Sequence, residues 1–496
     1  MAWISYIRIC LITAGSTVSF NGKKINLYTE ERKYQFIMEH PSSTDTRMGT
    51  EPIPKLMLRL AIPSIVAQLI NVLYNIVDRM YIGHIPEIGS TALTGVGLTF
   101  PIILLVSAFS SFAGAGGAPL ASIQLGKGDK KQAENILGNA VSVLLFFSVT
   151  LTVIFLIFKE PLLYMFGASE NTFIYANRYL SIYLIGTIFV QISLGLNMFI
   201  SSQGQAKTAM MSVLIGAITN IILDPVFIFL FHMDVRGAAL ATIISQAVSA
   251  AWVLRFLTSK KSVILIRKSC MKPDFALIGS IAALGVSPFI MQFTESAINI
   301  VFNYGLSKYG GDLYVGSMTI LQSVMQLVFV PIQGFTQGIQ PIISYNFGAK
   351  KFDRVRKTYR IAIIASFSIT LFDCLMTVMF PGVFARIFTN KAELITLVEQ
   401  VMPIFMAGVW IFGIQMGCQT TFMGLGQAKL SLFVALLRKV ILLIPLALIL
   451  PAVTGNVISI YYAEPVSDII SALTCGTLLL VFQKKMLSEE SLSKLH

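Results

Sequence analysis

The sequence has little charge for its length. Only 12% of its 496 residues are Asp, Glu, Lys or Arg, whereas 55% are hydrophobic. A soluble domain carries about 25% charged residues, because its surface must be covered by polar groups. The scarcity of charge excludes an ordinary soluble fold and indicates a protein that lies in a membrane.

Several functional signatures are also missing. No Walker sequence is present for an ATP-driven pump, and no HExxH sequence for a zinc protease. The "GKGD" at 126–129 lies in a charged loop and is interpreted as a turn rather than as a protease signature. The cysteines show no paired spacing, so neither a disulfide framework nor a zinc site is predicted. They are Cys10, Cys270, Cys374, Cys418 and Cys475. We therefore expect neither an enzyme nor a protein with a cofactor.

Long apolar segments recur along the chain. Each has about 20 residues, the length that spans a bilayer core as a helix. Helix is expected because backbone groups in lipid must be hydrogen-bonded within the segment, and the nearly continuous hydrophobicity disfavours a β-barrel. The segments are centred near Leu69, Ile103, Phe146, Ile188, Leu223, Ala247, Ile290, Met325, Ile369, Gly408, Ile441 and Ala472. The predicted fold is an all-α integral membrane protein with twelve transmembrane helices.

Lys and Arg residues concentrate in alternate loops. If the N-terminus is cytoplasmic, the cytoplasmic loops hold sixteen of these residues and the opposite loops hold seven. This asymmetry predicts that both termini are cytoplasmic. It also accounts for the net charge of +13 without nucleic acid as a partner. An anionic partner held by the basic residues at 350–360 is the alternative explanation.

Residues 1–47 differ in character from the rest of the chain. Met1–Phe20 is weakly apolar, but it contains Arg8 and lacks a convincing cleavage site. The sequence "MGTEPIPKLMLRLAIP" from Met48 is typical of a natural start, with Met38 as the alternative. Residues 1–47 are therefore predicted to be an N-terminal extension outside the fold. A cleaved signal peptide is the competing interpretation, and N-terminal sequencing of the purified protein distinguishes the two.

The chain contains an internal repeat. "GQAK" at 204–207 recurs at 426–429, a shift of 222 that also relates Gly126 to Gly348. Because the shift covers six of the twelve segments, both halves have the same orientation, and a pseudo-two-fold axis along the membrane normal relates them. The predicted organisation is two parallel six-helix lobes at 48–258 and 274–485, with a cytoplasmic loop at 259–273 and a cytoplasmic tail at 486–496.

Two segments carry a stripe of polar side chains. In the first segment the stripe comprises Gln68, Asn71, Asn75 and Asp78, and in the seventh it comprises Gln292, Glu295, Asn299 and Asn303. Spacings of three and four residues put each set on one helix face. The amides fit either interhelical hydrogen bonds or the lining of a cavity. The carboxylates indicate more, because a charge at mid-bilayer costs about 2.5–3.5 kcal/mol and marks a pathway or a coupling site.

The fifth and sixth segments add further oxygen-bearing side chains. Asn220 and Asp224 are one helical turn apart in "TNIILDPVFIF", and Pro225 is expected to bend the helix. Counting outward from the turn at Met233 places Thr242 at the depth of Asp224. With Asp78 at a similar depth, the set suits a hard cation such as Na⁺, or a carboxyl pair that shares a proton. The corresponding "ILLIPLAL" of the second half has no acid, so the cation site is expected in the first lobe.

These residues resemble the MATE family, the multidrug and toxic compound extrusion transporters, and most closely its MepA-type bacterial branch. The resemblance runs from about Met48 to Lys485. It rests on "LYNIVDRMYIGHIP", "ALTGVGLTFPI", "NIILDPVFIF", "GAALATIISQ" and the two "GQAK" loops. It implies two six-helix lobes and a cation site formed here by Asp78, Asn220, Asp224 and Thr242. Glu295 is similar to a glutamate that is important in some branches.

The resemblance implies a secondary active exporter of the bacterial plasma membrane, which exchanges lipophilic, often cationic drugs and dyes for Na⁺ or H⁺. A monomer with no metal other than Na⁺ is expected. The candidates for the substrate cavity are Gln68, Asn71, Asn75, Gln292, Glu295 and Asn299. The alternative is a lipid-linked oligosaccharide flippase of the same architecture, but such a cavity needs cations, whereas the mid-membrane charges are mostly acidic. Asp373, in the ninth segment, has no predicted partner.

Overall fold

The structure is a computed structural model that describes residues 18–20, 23–25 and 43–493. The chain divides into two compact units after Arg47. In the first unit, the strands Val18–Phe20 and Lys23–Ile25 form an antiparallel hairpin, with Val18 opposite Ile25. From Met48 to Ser493 the described chain is helical, and this second unit contains every residue of the candidate site.

Eleven helices of the described residues are long and apolar enough to cross a membrane, and one bent pair supplies a twelfth crossing. In chain order, spans 1–6 are Ile53–Gly83, Phe100–Lys127, Lys130–Met165, the bent pair Glu170–Ile185 and Thr187–Ser202, Ala206–Leu230 and Asp234–Leu257. Spans 7–12 are Phe275–Gly310, Asp312–Gly348, Phe352–Met379, Ala392–Gly424, Ala428–Thr454 and Val457–Met486. The predicted all-α membrane fold with twelve spans is confirmed.

Several spans change their helix type part-way. Span 5 is an α-helix over Ala206–Pro225 and a π-helix over Val226–Leu230. Span 11 has the α-helices Ala428–Leu436 and Ile444–Thr454 on either side of a π-helix, Leu437–Leu443. Spans 10 and 12 contain the 3₁₀ turns Met406–Gly408 and Val457–Tyr462. The shorter helices are Ser43–Thr50, Gly89–Gly97, Lys268–Met271, Pro381–Phe388 and Glu489–Ser493.

The "GKGD" sequence forms the turn between spans 2 and 3. Span 2 ends at Lys127, and Gly128 follows in the left-handed region with φ of 82°. Asp129 caps span 3, since its side chain accepts a hydrogen bond from the backbone N–H of Gln132 at 2.9 Å. The interpretation of this sequence as a turn is confirmed.

The two lobes, the N-lobe with spans 1–6 and the C-lobe with spans 7–12, pack in a pseudo-symmetric way. Span 2 packs on span 7, and span 8, its repeat counterpart, packs on span 1. Gly116 meets Ile281 and Gly285 of span 7, and Gly338, at the same separation of 222, meets Ala61 of span 1. The repeat found in the sequence therefore relates the contacts between the lobes as well as the lobes themselves.

Glycines bring the lobe backbones into direct contact. A Cβ on Gly348 would collide with the carbonyl oxygen of Ile123, and one on Gly126 would collide with that of Tyr345. Across the same contact, Ser122 Oγ donates to the carbonyl oxygen of Pro341 at 3.3 Å. We call these contacts of spans 1 and 2 with spans 7 and 8 the inter-lobe seam. It includes the ends of spans 2 and 8 that lie on the side of the loop at 259–273, so the lobes are closed on that side.

Candidate functional site

The N-lobe buries an amide and a carboxyl group on span 5. Asn220 and Asp224 are 1% and 0% exposed, and Asn220 Nδ2 donates to Asp224 Oδ1 at 3.1 Å. They are one turn apart on a continuous α-helix, as the sequence spacing predicts. The helix changes to a π-helix directly after Pro225, because proline has no N–H to continue the α-helical pattern. The predicted disturbance at Pro225 is therefore a change of helix type next to the buried acid.

Asp78 of span 1 meets Asp224. The two carboxyl groups lie within hydrogen-bonding reach of each other. No hydrogen-bond donor of the described residues reaches Asp78 Oδ1 or Asp224 Oδ2, although both oxygens are buried. An ionised carboxylate only accepts hydrogen bonds, so the pair needs a proton or another cation between its oxygens. This arrangement suits a site that takes up a small cation.

Tyr179 of span 4 completes the surroundings of this pair. Its side chain is in hydrogen-bonding contact with Thr242 of span 6 and lies in the field of both carboxyl groups. Its ring stacks on that of Tyr183, with centroids 6.3 Å apart. Thr242 thus joins the site through Tyr179. The sequence gives no signal for Tyr179, because an aromatic residue in an apolar segment is typical of packing.

The carboxyl site, as we call Asp78, Tyr179, Asn220, Asp224 and Thr242, presents oxygen atoms throughout. Hydroxyl, amide and carboxyl oxygens are the ligands that hard cations such as Na⁺ prefer. Among the described residues, no three or more His, Cys, Asp or Glu side chains are grouped to hold a metal ion. Four cysteines of these residues are free, Cys270, Cys374, Cys418 and Cys475, and Cys10 lies outside the described part of the chain.

The two glutamines of the polar stripes bridge the lobes. Gln68 Nε2 donates to Gln337 Oε1 of span 8 at 3.1 Å. In the counterpart position, Gln292 Nε2 donates to Ser111 Oγ of span 2 at 2.7 Å. In this conformation the two glutamines therefore form interhelical hydrogen bonds, one of the two roles expected for the amides of the stripes. Their place in a substrate cavity stays a prediction.

The asparagines of the stripes are nearer to solvent. Asn75 is exposed, and its Nδ2 donates to the backbone carbonyl of Asn71 at 2.6 Å. Asn71 and Asn299 are half-buried. All three lie beyond the glutamines, away from the closed side of the inter-lobe seam. Their position is compatible with the lining of a cavity that opens toward the other side, which remains a prediction.

Glu295 forms an ion pair that the sequence does not predict. Its carboxylate contacts the ammonium group of Lys439, in the π-helix of span 11. The Glu295 side chain is 51% exposed, whereas that of Lys439 is 7% exposed. A buried lysine is held in place by the carboxylate that compensates its charge.

Arg438, next to Lys439, forms a second buried network. Its Nη2 lies 2.6 Å from Glu464 Oε1 and its Nε lies 2.6 Å from Asp468 Oδ1, both on span 12. Its guanidinium carbon lies 4.4 Å from the centre of the Phe412 ring. The shift of 222 provides a signal for this network, since it relates Glu464 to Thr242 of the carboxyl site. The absence of an acid at "ILLIPLAL" therefore does not leave the C-lobe without buried charge.

A family comparison identifies the fold. Residues 63–226 and 288–449 match the model of the family described as MatE. Together these residues make up more than half of the chain, with one match in each lobe. The chain belongs to the MatE family.

Individual proteins show the same relationship. The multidrug export protein MepA of Staphylococcus haemolyticus (strain JCSC1435) is 27% identical over 416 residues, which cover 83% of this chain and 91% of that protein. MepA of Staphylococcus aureus (strain N315) is 25% identical over 417 residues, with the same coverage. A solved outward-facing MATE transporter has a TM-score of 0.82 at 22% identity and covers 92% of this chain and 100% of that one. A MATE protein in a bent conformation has a TM-score of 0.82 at 24% identity and covers 90% of this chain and 100% of that one.

The MatE match includes most of the residues discussed above. Its first part contains Asp78, Asn220 and Asp224, and its second part contains Glu295 and Lys439. Thr242 and the span 12 acids that hold Arg438 lie outside both parts. This chain thus has a carboxyl pair in one lobe and a paired set of acids and bases in the other.

Proposed function

We propose that this MatE protein is a secondary active multidrug exporter, which exchanges lipophilic, often cationic compounds for Na⁺ or H⁺. The observation that carries the proposal is the buried meeting of Asp78 and Asp224, with two carboxyl oxygens that no donor of the described residues reaches. The relatives described above are named multidrug export proteins, which supports the substrate class. The proposal includes a bacterial plasma membrane location, cytoplasmic termini, a monomer and no cofactor.

The carboxyl site can link ion binding to the shape of the N-lobe. Its side chains come from spans 1, 4, 5 and 6, so a cation between the carboxyl groups draws these helices together. When the site gives up its ion, the repulsion between two buried carboxylates separates them. An ion that binds one arrangement more tightly shifts the equilibrium toward it. We infer that this shift in the N-lobe opens the drug cavity to the outside.

The flippase alternative is not favoured by the charges of the C-lobe. Arg438 and Lys439 are buried cations, the type of charge that a pyrophosphate site needs. Arg438 is paired with Glu464 and Asp468, and Lys439 is paired with Glu295. Cations that are already compensated by carboxylates do not form an anion site.

Dye efflux by variant proteins tests the proposal. Asp78→Asn and Asp224→Asn each remove one charge of the pair and keep the side-chain shape, so each should abolish efflux driven by an ion gradient while the protein still reaches the membrane. Asp373→Asn is the matched control. Its half-buried carboxyl group also has an oxygen that no donor of the described residues reaches, but it lies on span 9. Normal export by both N-lobe variants would refute the coupling assignment.

A further inference from the structure

Two neighbouring cations of span 11 have different surroundings. Arg438 is 2% exposed and is enclosed by two carboxylates and an aromatic ring. Lys439 is also buried, but its ion pair is with a carboxylate that is half exposed. Arg438 thus has the partners of a fixed structural group, whereas the partner of Lys439 is open to a ligand.

Glu295 faces the region between the lobes. Gln292, one turn earlier on span 7, donates across the seam to Ser111 of the N-lobe. Glu295 lies on the same helix face, beyond this contact, and is half exposed. A compound that lies between the lobes can therefore approach the carboxylate from one side, while Lys439 holds it from the other.

The cluster of Glu295, Arg438, Lys439, Glu464 and Asp468 contains three acids and two bases. Of these five side chains, Glu295 alone is more than 7% exposed. The buried members fix how much negative charge Glu295 presents to a ligand, because charges are weakly screened in a low-dielectric interior. Removal of the Lys439 charge would make the net charge of the cluster more negative by one unit. Removal of the Glu295 charge would make it less negative by one unit.

We propose that Lys439 is a charge-selectivity determinant of the drug cavity: by pairing with Glu295 from within the C-lobe, it limits how much positive charge an exported compound carries. Lys439 acts through Glu295 and is a positioning residue. The inference rests on the proposed drug export. It adds that the C-lobe selects compounds by their positive charge. In this arrangement the N-lobe binds the coupling ion and the C-lobe recognises the charge of the compound.

The test compares two dyes with the same chromophore, one with a single quaternary ammonium group and one with two, in proteoliposomes of defined lipid. The readout is the ratio of kcat/KM for the doubly charged dye to that for the singly charged dye, with KM and kcat determined separately. Lys439→Met should raise this ratio on the order of tenfold, through KM, because one repulsive charge near the ligand is lost. Lys439→Arg should keep the wild-type ratio.

Opposite and matched variants complete the test. Glu295→Gln should lower the ratio, and the double variant Glu295→Gln/Lys439→Met should restore it, since it removes both charges of the pair. Lys308→Met is the control. Lys308 is an exposed cation on span 7, the helix of Glu295, and its ammonium group lies near the rings of Tyr304 and Tyr309. It should leave the ratio unchanged.

The outcomes separate this inference from the proposed function. If the wild-type protein exports neither dye under any ion gradient, the proposed function fails. If it exports both dyes, but Lys439→Met and Glu295→Gln leave the ratio as it is, the selectivity inference is wrong and drug export stands. If either Lys439→Met or Glu295→Gln does not reach the membrane, the other variant decides, because the two should change the ratio in opposite directions.

Discussion

The hydroxyl group of Tyr179 lies where the charges of the N-lobe converge. It contacts Thr242 and is close to Asp78 and Asp224, although its ring is packed as an ordinary core residue at 4% exposure. A hydroxyl group both donates and accepts hydrogen bonds, so it can contact a carboxylate or a bound cation. We infer that Tyr179 belongs to the ion site and not merely to the packing around it.

Removal of this hydroxyl group should weaken ion coupling. Tyr179→Phe keeps the ring and should lower the apparent affinity for the coupling ion by about tenfold, since a hydrogen bond to a charged group contributes about 1.5–3 kcal/mol. The measurement is the dependence of dye efflux on Na⁺ and on pH. Tyr461→Phe is the control, because its hydroxyl group bonds Ser317 Oγ at 2.7 Å in the C-lobe. An equal effect of both substitutions would show that Tyr179 has a structural role only.

Arg438 should matter for stability rather than for coupling. Arg438→Met leaves Glu464 and Asp468 as unpaired buried acids, and such a loss costs about 3–5 kcal/mol. A neutral triple variant, Arg438→Met/Glu464→Gln/Asp468→Asn, should recover most of that loss, since it leaves no buried charge unpaired. Thermal unfolding of the purified variants in detergent measures both effects. Equal unfolding temperatures for wild type and Arg438→Met would contradict a structural role.

Sequence patterns predicted the residues of the carboxyl site that are unusual in a membrane helix. Asp78, Asn220 and Asp224 are conspicuous because polar groups in an apolar segment are costly. Tyr179 was missed because its type is common in such segments. Lys439 gave no such signal, because a lysine next to an apolar run is typical of a membrane helix whose side chain reaches the interface. The pairing of Lys439 with Glu295 depends on the packing of spans 7 and 11, which no local pattern specifies.

At the scale of single elements, spans 5 and 11, which the repeat relates, each contain a π-helix. Val226–Leu230 follows Pro225 in span 5, and Leu437–Leu443 precedes Pro445 in span 11. π-helical turns often occur at functional sites, because they redirect the side chains on either side. One lies next to Asp224 and the other contains Arg438 and Lys439. The sequence predicted a disturbance at Pro225, but neither its form nor the π-helix of span 11.

The inter-lobe seam depends on glycines, because the absence of a side chain lets the backbones of the two lobes come into contact. Gly348→Ala places a Cβ against the carbonyl oxygen of Ile123 and should force the lobes apart on the side of the loop at 259–273. Dye efflux should fall. An introduced Ser122→Cys, buried across the seam from Pro341, should react faster with an impermeant thiol reagent applied from that side, in a background without native cysteines.

Gly279→Ala is the matched control for the seam. It is on span 7, and a Cβ there would meet no atom within 4 Å. In the Gly279→Ala variant, dye efflux and the rate at which Ser122→Cys is labelled should therefore equal those of the protein with Gly279. If Gly348→Ala behaves in the same way as Gly279→Ala, close contact at the seam is not needed for transport.

At the scale of the whole molecule, the helical unit is anchored from its first residues. Asn346 Nδ2 donates to the carbonyl oxygen of Met48 at 2.9 Å, and Arg354 Nη2 donates to that of Glu51 at 2.7 Å. Lys351 Nζ donates to the carbonyl oxygen of Gly49 at 2.9 Å. These bonds hold the start of span 1 against the junction of spans 8 and 9, so the helical unit has its own anchor from Met48 onward.

Deletion of residues 1–47 should therefore leave transport intact. A protein that starts at Met48 keeps every hydrogen bond described for Met48–Glu51, and its export rate and unfolding temperature should match those of the full chain. A protein that starts at Pro54 is the control. It lacks the carbonyl groups of Met48, Gly49 and Glu51 that anchor the start of span 1, and its unfolding temperature should be lower. Loss of export on removal of residues 1–47 alone would show that the extension contributes to the fold.

The repeat predicted the overall architecture better than it predicted the chemistry. Matching letters at a separation of 222 indicated two parallel lobes, because backbone packing is similar in both halves. The same positions carry different chemistry, however: Glu464 takes the place of Thr242, and Phe302 takes the place of Asp78 at a separation of 224. A duplicated fold therefore does not imply a duplicated ion site, and the two lobes are unequal in charge.

The most direct test of the central claim measures the ion itself. Purified protein is reconstituted in liposomes, and an outward gradient of a lipophilic cationic compound is imposed with no ion gradient. The account predicts that the movement of this compound drives Na⁺ or H⁺ in the opposite direction, followed with ²²Na⁺ or an internal pH dye. It also predicts that Asp224→Asn abolishes this flux and Asp373→Asn does not. Compound movement with no opposing flux of either ion, or an undiminished flux in Asp224→Asn, would contradict the account.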